Sequence, residues 1–208
     1  MSDSPRITRR SLFRGIGSVT VVAGCATPTR PEPTATPDLA AALPPIDGVA
    51  LGPGPVPLRF TLNGAAQTLE VTPNTTLLDL LRHSLNATGS KLVCDRGSCG
   101  ACTVLVDGIP RPSCMTLAHD VADAKVTTVE GLATAGKLSS LQQAFVDHDA
   151  LQCGYCTSGM LMSCQALLAR KGATDAAAVE QAISGNLCRC GTYPNIVAAV
   201  LSVAKAGA

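Results

Sequence analysis

"CDRGSCGAC", residues 94–102, places three cysteines and two glycines in nine residues, and Ala101 is the only aliphatic side chain among them. Such a loop cannot build a core of its own. Ten of the 208 residues are cysteines, and nine of these follow residue 93. The composition therefore points to cysteine chemistry in the folded part of this chain.

The spacing of this loop is C-x4-C-x2-C, with Cys114 further along the chain, which is the arrangement of plant-type 2Fe–2S sites. A cluster about the size of a side chain needs thiolates from all sides, so the chain must wrap around it. Gly97 and Gly100 permit positive φ and let backbone N–H groups point at the sulfurs. The loop therefore predicts an iron–sulfur site.

Two hairpins and a helix are predicted around the loop. Strand-like runs alternate on both sides of Asn63-Gly64 and of Asp107-Gly108, and these dipeptides favour tight hairpin turns. Residues 74–85 carry leucines at helical spacing after a Thr or Asn cap. Residues 125–132 predict a last strand. We therefore expect a small α+β domain over residues 58–132.

Residues 133–208 change to a helical pattern. Four segments carry apolar residues at i, i+3 or i+4 spacing. The pairs "CGYC" (Cys153, Cys156) and "CRC" (Cys188, Cys190) each stand directly before one of these helices. A pseudo-symmetric four-helix bundle brings both pairs to one end. We therefore expect an all-α four-helix domain with a second cysteine site.

Disulfides and zinc are the alternatives for these cysteines. A disulfide scaffold typically serves a tiny domain, whereas this chain has apolar side chains for real cores. Cys188 and Cys190 are separated by one residue, a poor placement for a bridge. Zinc prefers two C-x2-C knuckles, and using them here leaves a C-x-C pair and a lone cysteine. Iron–sulfur clusters are the better interpretation, and both alternatives stay open at this point.

Three ordered motifs resemble the small iron–sulfur subunit of the molybdenum hydroxylases, the xanthine dehydrogenase and aldehyde oxidase family. They are "CDRGSCGACTVLVDG…SC", "QCGYCTSGM" and "GNLCRCGTYPNI", and the similarity covers about residues 58–205. The chain most resembles the exported aldehyde oxidoreductases and related isoquinoline-type oxidoreductases. Ser158 in place of Pro, and "CRCGTY" in place of "CRCTGY", depart from the commoner pattern and leave the cysteines intact.

The resemblance implies two 2Fe–2S clusters, one in a plant-type ferredoxin (β-grasp) domain over residues 58–132 and one in the all-α four-helix domain that follows. Carried over residue by residue, the ligands of the ferredoxin-type cluster are Cys94, Cys99, Cys102 and Cys114. Those of the second cluster are Cys153, Cys156, Cys188 and Cys190. Gln152 matches a position whose side-chain amide hydrogen-bonds the pterin of the molybdenum cofactor in a large partner subunit. An ordinary surface glutamine is the alternative for Gln152.

The resemblance further implies an electron-transfer role. The large molybdenum-binding subunit would hydroxylate an aldehyde or N-heterocycle, and electrons would pass through the second cluster and then the first to a flavin (FAD) subunit or cytochrome c. The rival from another class is an exported non-enzymatic module held by disulfides or zinc. No nucleophile–base pattern occurs, so we expect no catalysis by the chain alone. Cys164 is expected to be a buried thiol and the three histidines to be solvated.

The composition argues against nucleic-acid binding. The net charge is +1, without long runs of one sign, so no basic surface for phosphates is indicated. Aromatic residues make up 2 % of the chain and there is no Trp, so stacking platforms for bases are not expected.

The N-terminal segment predicts export. Residues 1–25 combine four arginines with a short apolar run, and "TRRSLFR" resembles the twin-arginine signal, which exports folded proteins to the periplasm. A disordered basic N-terminus is the alternative. Residues 26–57 are rich in Pro, Ala and Thr and predict a linker. "VAGC" resembles a lipobox, so Cys25 is a candidate for lipidation and membrane anchoring; the alternative is a cysteine removed with the signal.

Overall fold

The computed structural model describes residues 52–173 and 175–206. The predictions for the signal peptide, for Cys25 and for most of the linker fall outside these residues. The described chain folds as a five-stranded sheet followed by four longer helices. Within these residues, the structure has no helix with the length and apolar character needed to cross a membrane.

Five strands form one mixed sheet in the order β2-β1-β5-β3-β4. The antiparallel hairpins β1/β2 and β3/β4 confirm the two predicted hairpins, and Asn63 and Asp107 in their turns both have φ of 50°. The short β5 pairs with β1 in parallel and with β3 antiparallel, so it joins the hairpins. The strands are β1 Val56–Leu62, β2 Ala65–Val71, β3 Thr103–Val106, β4 Ile109–Pro112 and β5 Lys125–Thr127.

The predicted helix over residues 74–85 is correct in place but not in form. One α-helical turn, α1 (Leu77–Asp79), continues into a wider π-helical turn, Leu80–Ser84. The Thr76 hydroxyl caps α1 by accepting the Asp79 amide at 3.1 Å. The wider turn accompanies burial of the leucines, and the fully buried ones are Leu77, Leu78, Leu80 and Leu81.

The predicted last strand is shorter than expected. It ends at Thr127, and Val129–Leu132 forms a 3₁₀ turn. The Asn63 side chain explains this, because it accepts the Thr128 amide and donates to the Thr128 hydroxyl, both at 2.9 Å. These bonds replace further sheet pairing.

His119 is half-buried and its Nε2 lies 3.0 Å from the Val71 carbonyl oxygen. The expectation that all histidines are solvated is therefore wrong for His119. This contact spans 48 positions of the chain, so no local pattern could have indicated it.

Four helices form the second half, as the sequence predicts. Side-chain caps from Ser139 and Asp175 begin α2 and α4. Helix α3 is buried along most of its length, and Met162 and Ala166 on it pack against Leu105 of β3. Cys164 on the same helix has no exposed surface, which confirms the predicted buried thiol. The helices are α2 Ser140–Asp147, α3 Thr157–Ala169, α4 Ala176–Ile183 and α5 Tyr193–Ala206.

Candidate metal centres

Two pairs of thiols lie where the cysteine loop before β3 contacts the turn that follows β4. Cys94 and Cys99 lie close enough for the Cys99 thiol to lower the pKa of Cys94, and the Cys102 thiol likewise acts to raise the pKa of Cys114. Cys102 and Cys114 are buried against Leu78, whereas the other two are half-buried. We call these four thiols the first thiol set.

Backbone N–H groups surround the first thiol set. The Gly97 amide donates to Cys114 Sγ at 3.3 Å. The Arg96 amide is the main reason why the pKa of Cys94 is lowered to about 7. Burial raises the pKa of Cys114 to about 12, so this thiol needs a strong electrophile such as a metal to lose its proton near neutral pH. The loop thus presents donors of the kind that stabilise anionic sulfur.

Four further thiols form the second thiol set in the helical half. Cys153 lies beside Cys190, and Cys156 lies beside Cys188. Cys156 is the N-cap residue of α3, so the start of this helix places one thiol of the set. Cys153 and Cys190 are exposed and Cys156 is buried, so the set has an outer and an inner side.

Thr192 and Tyr193, which the sequence analysis did not single out, hold Cys188 in place. The Thr192 hydroxyl lies 3.3 Å from Cys188 Sγ. Burial acts to raise the pKa of Cys188, but hydrogen bonds outweigh it and lower the pKa to about 7, with the Thr192 hydroxyl and amide ahead of the Cys156 thiol and the Gly191 amide. The Cys188 amide donates to Tyr193 Oη at 2.7 Å, and Tyr193 Oη donates to the Asn186 carbonyl at 3.2 Å. The only sequence signal for these roles is that the two residues stand second and third after "CRC".

Both thiol sets fit a 2Fe–2S cluster. Among residues 52–173 and 175–206, every cysteine is a free thiol. In that same part of the chain, no three His, Cys, Asp or Glu side chains converge as a mononuclear metal site needs. Each set instead consists of two neighbouring thiol pairs, and a binuclear cluster held by four cysteines takes two thiolates on each iron. The donor set and the arrangement in pairs match that requirement.

Gln152 is exposed and stands directly before Cys153 on the outer side of the second thiol set. Its side chain is therefore available to a partner on that side. The inner side, with Cys156 and Cys188, packs into the core of the helical half, and the Leu187 amide beside it donates to the Cys99 carbonyl at 2.9 Å. Cys99 belongs to the first thiol set and Leu187 precedes Cys188 of the second, so one hydrogen bond connects the two sets.

Comparison with known families finds a match in each half. Residues 60–133 match the "2Fe-2S iron-sulfur cluster binding domain" and residues 128–201 match a "2Fe-2S binding domain". The two matches together run from within β1 to within α5 and include the whole cysteine loop. Two 2Fe–2S clusters are therefore the cofactors of this chain.

Known proteins are similar over most of the chain. The aldehyde oxidoreductase iron-sulfur-binding subunit PaoA of Escherichia coli (strain K12) is 39 % identical over 209 residues, covering 93 % of this chain and 86 % of that protein. The nicotine 6-hydroxylase small subunit of Paenarthrobacter nicotinovorans is 47 % identical and covers 70 % of this chain and 88 % of that protein.

A solved structure agrees with these relatives. The crystal structure of quinoline 2-oxidoreductase from Pseudomonas putida 86 contains a chain that is 40 % identical, with a TM-score of 0.69, and the match covers 74 % of this chain and 98 % of that one. Fold, thiol sets and relatives agree. The chain belongs to the family of small iron–sulfur subunits of the molybdenum hydroxylases, which transfer electrons within oxidoreductase complexes.

Proposed function

We propose that this chain is the electron-transfer subunit of an exported molybdenum hydroxylase that oxidises an aldehyde. The observation that carries the proposal is the pair of four-thiol sets, joined by the hydrogen bond between Leu187 and Cys99. When bound, the two 2Fe–2S clusters would supply one-electron carriers between the molybdenum site of a large subunit and an acceptor.

The proposed ligands are the members of the two thiol sets. Each neighbouring thiol pair would hold one iron. The first set supplies the pairs Cys94 with Cys99 and Cys102 with Cys114. The second set supplies the pairs Cys153 with Cys190 and Cys156 with Cys188. Donors aimed at the sulfurs, such as the Gly97 amide, stabilise the negative charge that thiolates bring.

The two sides of the molecule suit two partners. We assign the outer side of the second thiol set, with Gln152 and exposed Cys153, to the large subunit and the pterin of its molybdenum cofactor. The exposed residues 95–98 beside the first thiol set would face an FAD subunit or cytochrome c as the acceptor. The chain itself supplies ligands, orientation and the connection between the sets.

The length of the match to an aldehyde oxidoreductase subunit favours an aldehyde as the substrate. The match to the PaoA subunit covers 93 % of the chain, more than residues 58–208 can supply, so it includes part of the N-terminal segment. An N-heterocycle is the second candidate substrate, since the nicotine 6-hydroxylase small subunit is 47 % identical over a shorter span.

We also propose that the mature protein lies in the periplasm after export by the twin-arginine route. Cluster proteins fold in the reducing cytosol, and this route accepts folded cargo. Cys25 in "VAGC" would carry lipid and anchor the complex to the membrane, with residues 26–57 as a spacer. Both statements rest on the sequence of the first 57 residues.

Spectroscopy of the purified complex tests the proposal. We expect the visible absorbance of 2Fe–2S clusters, bleached by an aldehyde under anaerobic conditions. Bleaching by an N-heterocycle alone would transfer the proposal to the second substrate class. A colourless complex that contains zinc or disulfides would support the non-enzymatic rival instead.

A further inference from the structure

Three successive backbone carbonyls of the cysteine loop, at positions 99–101, each accept a hydrogen bond from the helical half. The first accepts from the Leu187 amide at 2.9 Å. The second accepts from Asn186 Nδ2 at 3.0 Å, and the third from the Ser158 hydroxyl at 3.3 Å. We call this row of three hydrogen bonds the seam.

The Asn186 side chain is fixed at both ends. It is 3 % exposed, and the Ser163 hydroxyl donates to its Oδ1 at 2.8 Å. Its Nδ2 then has to point at the Gly100 carbonyl, which only accepts. A buried amide with both ends bonded has one orientation, so Asn186 holds the cysteine loop at a defined place.

The atoms around Gly100 in the seam are closely packed. This residue has φ of 69°, and a Cβ on it would lie 2.5 Å from both Asn186 Nδ2 and the Gly185 carbonyl oxygen. On the other side, a Cβ on Gly159 of α3 would overlap the Gly100 carbonyl oxygen. Backbone therefore packs directly on backbone where the two halves meet.

We propose that Asn186 is a positioning residue for electron transfer between the two thiol sets, an inference that rests on the proposed function. Asn186 lies two residues before Cys188, and its partner Gly100 directly follows Cys99. The bond between them fixes how the loop that carries Cys99 sits against the segment that carries Cys188. Loss of the Asn186 amide should change the relation of the two sets while leaving every thiol in place.

Ser158 offers an independent way to weaken the seam. It is the second residue of α3, and an amide in the first turn of a helix has no partner within the helix. Proline is tolerated in that first turn, so Ser158→Pro removes the hydroxyl without breaking the helix. Ser163→Ala removes the bond that orients Asn186 and leaves Asn186 itself unchanged.

The test compares Asn186→Ala with a matched control, Asn195→Ala, in the intact reduced complex. Asn195 also joins two elements of the helical half, by donating to the His148 carbonyl at 2.9 Å, but it lies outside the seam. The readouts are the spin–spin splitting between the two reduced clusters in EPR and the rate of electron equilibration between them after flash reduction.

We expect Asn186→Ala to keep both EPR signals, to lose or change their splitting and to equilibrate several-fold more slowly, whereas Asn195→Ala keeps the wild-type values. Wild-type splitting and rate in Asn186→Ala, whatever its melting temperature, would overturn the inference. If Asn186→Ala does not assemble both clusters, Ser163→Ala and Ser158→Pro replace it. Wild-type splitting and rate in both of these variants would also overturn the inference. A wild-type complex with fewer than two signals would instead defeat the proposed function.

Discussion

Replacing Gly159 with Ala should force α3 away from the cysteine loop. A Cβ at this position would overlap the Gly100 carbonyl oxygen and lie 3.0 Å from the Gly100 carbonyl carbon and from Asn186 Nδ2. These atoms belong to the backbone or to a bonded, buried amide, so none can swing aside. Helix and loop must therefore separate by on the order of 1 Å to restore ordinary contact distances.

Three contributions set the change in unfolding free energy, two that lower it and one that raises it. Overpacking costs about 1–3 kcal/mol. The Ser163 hydroxyl of α3 holds Asn186, so Asn186 should follow the helix and its 3.0 Å bond to Gly100 should lengthen beyond hydrogen-bonding range. A buried unpaired amide costs about 1–3 kcal/mol. Alanine in a helix gains about 1 kcal/mol over glycine. The net loss of unfolding free energy is roughly 3 kcal/mol, or about 6–12 °C in Tm for a protein of this size.

Calorimetry of wild type, Gly159→Ala and the control Gly185→Ala measures this loss. A Cβ on Gly185 meets nothing within 4 Å and its φ is not positive, so the control should lie within about 1 kcal/mol of wild type. A Gly159→Ala protein that melts at or above the wild-type temperature would show that helix propensity outweighs the contact, and would refute the close approach of α3 to the loop.

Four further outcomes are expected. Gln152→Ala should keep both clusters but slow their reduction by aldehyde and not by dithionite, because it removes the proposed hydrogen bond to the pterin, worth about 0.5–1.5 kcal/mol; unchanged aldehyde-driven reduction would make Gln152 a bystander. Burial raises the pKa of Cys164 to about 12, so iodoacetamide at neutral pH should label it only after unfolding, and rapid labelling of the native protein would contradict its burial. Asn63→Ala removes both bonds to Thr128 and should cost about 1–3 kcal/mol in urea unfolding, whereas an unchanged midpoint would argue against that role. Cys25→Ser should move the protein from the detergent phase to the aqueous phase, and an unmodified mature N-terminus beyond residue 25 in wild type would end the lipid hypothesis.

Local patterns predicted the elements well because their causes are local. Asn63-Gly64 and Asp107-Gly108 dictate hairpin turns through their own backbone preferences, and the turns form where predicted. Likewise, the pairs in "CGYC" and "CRC" precede helices, and the bundle brings their thiols together. In these cases short segments contain the information that fixes the structure.

The seam could not be predicted, because its partners lie far apart in the chain. The bond from Asn186 to Gly100 spans 86 positions, and that from Ser158 to Ala101 spans 57. Read alone, Asn186 is a loop residue before "LCRC" and Gly159 is a poor helix former. Only the packing of α3 on the loop shows why a glycine and a buried amide are needed there. The same holds for His119 and its contact with Val71.

EPR of the reduced protein with single ligands removed tests the central claim most directly. The claim is that two distinct 2Fe–2S clusters occupy the two thiol sets. Wild type should show two distinct signals, Cys99→Ser should lose one of them, and Cys188→Ser should lose the other. The seam survives both changes, because it uses the Cys99 carbonyl and the Leu187 amide rather than either thiol. A single signal in wild type, or loss of both signals in either variant, would contradict the account.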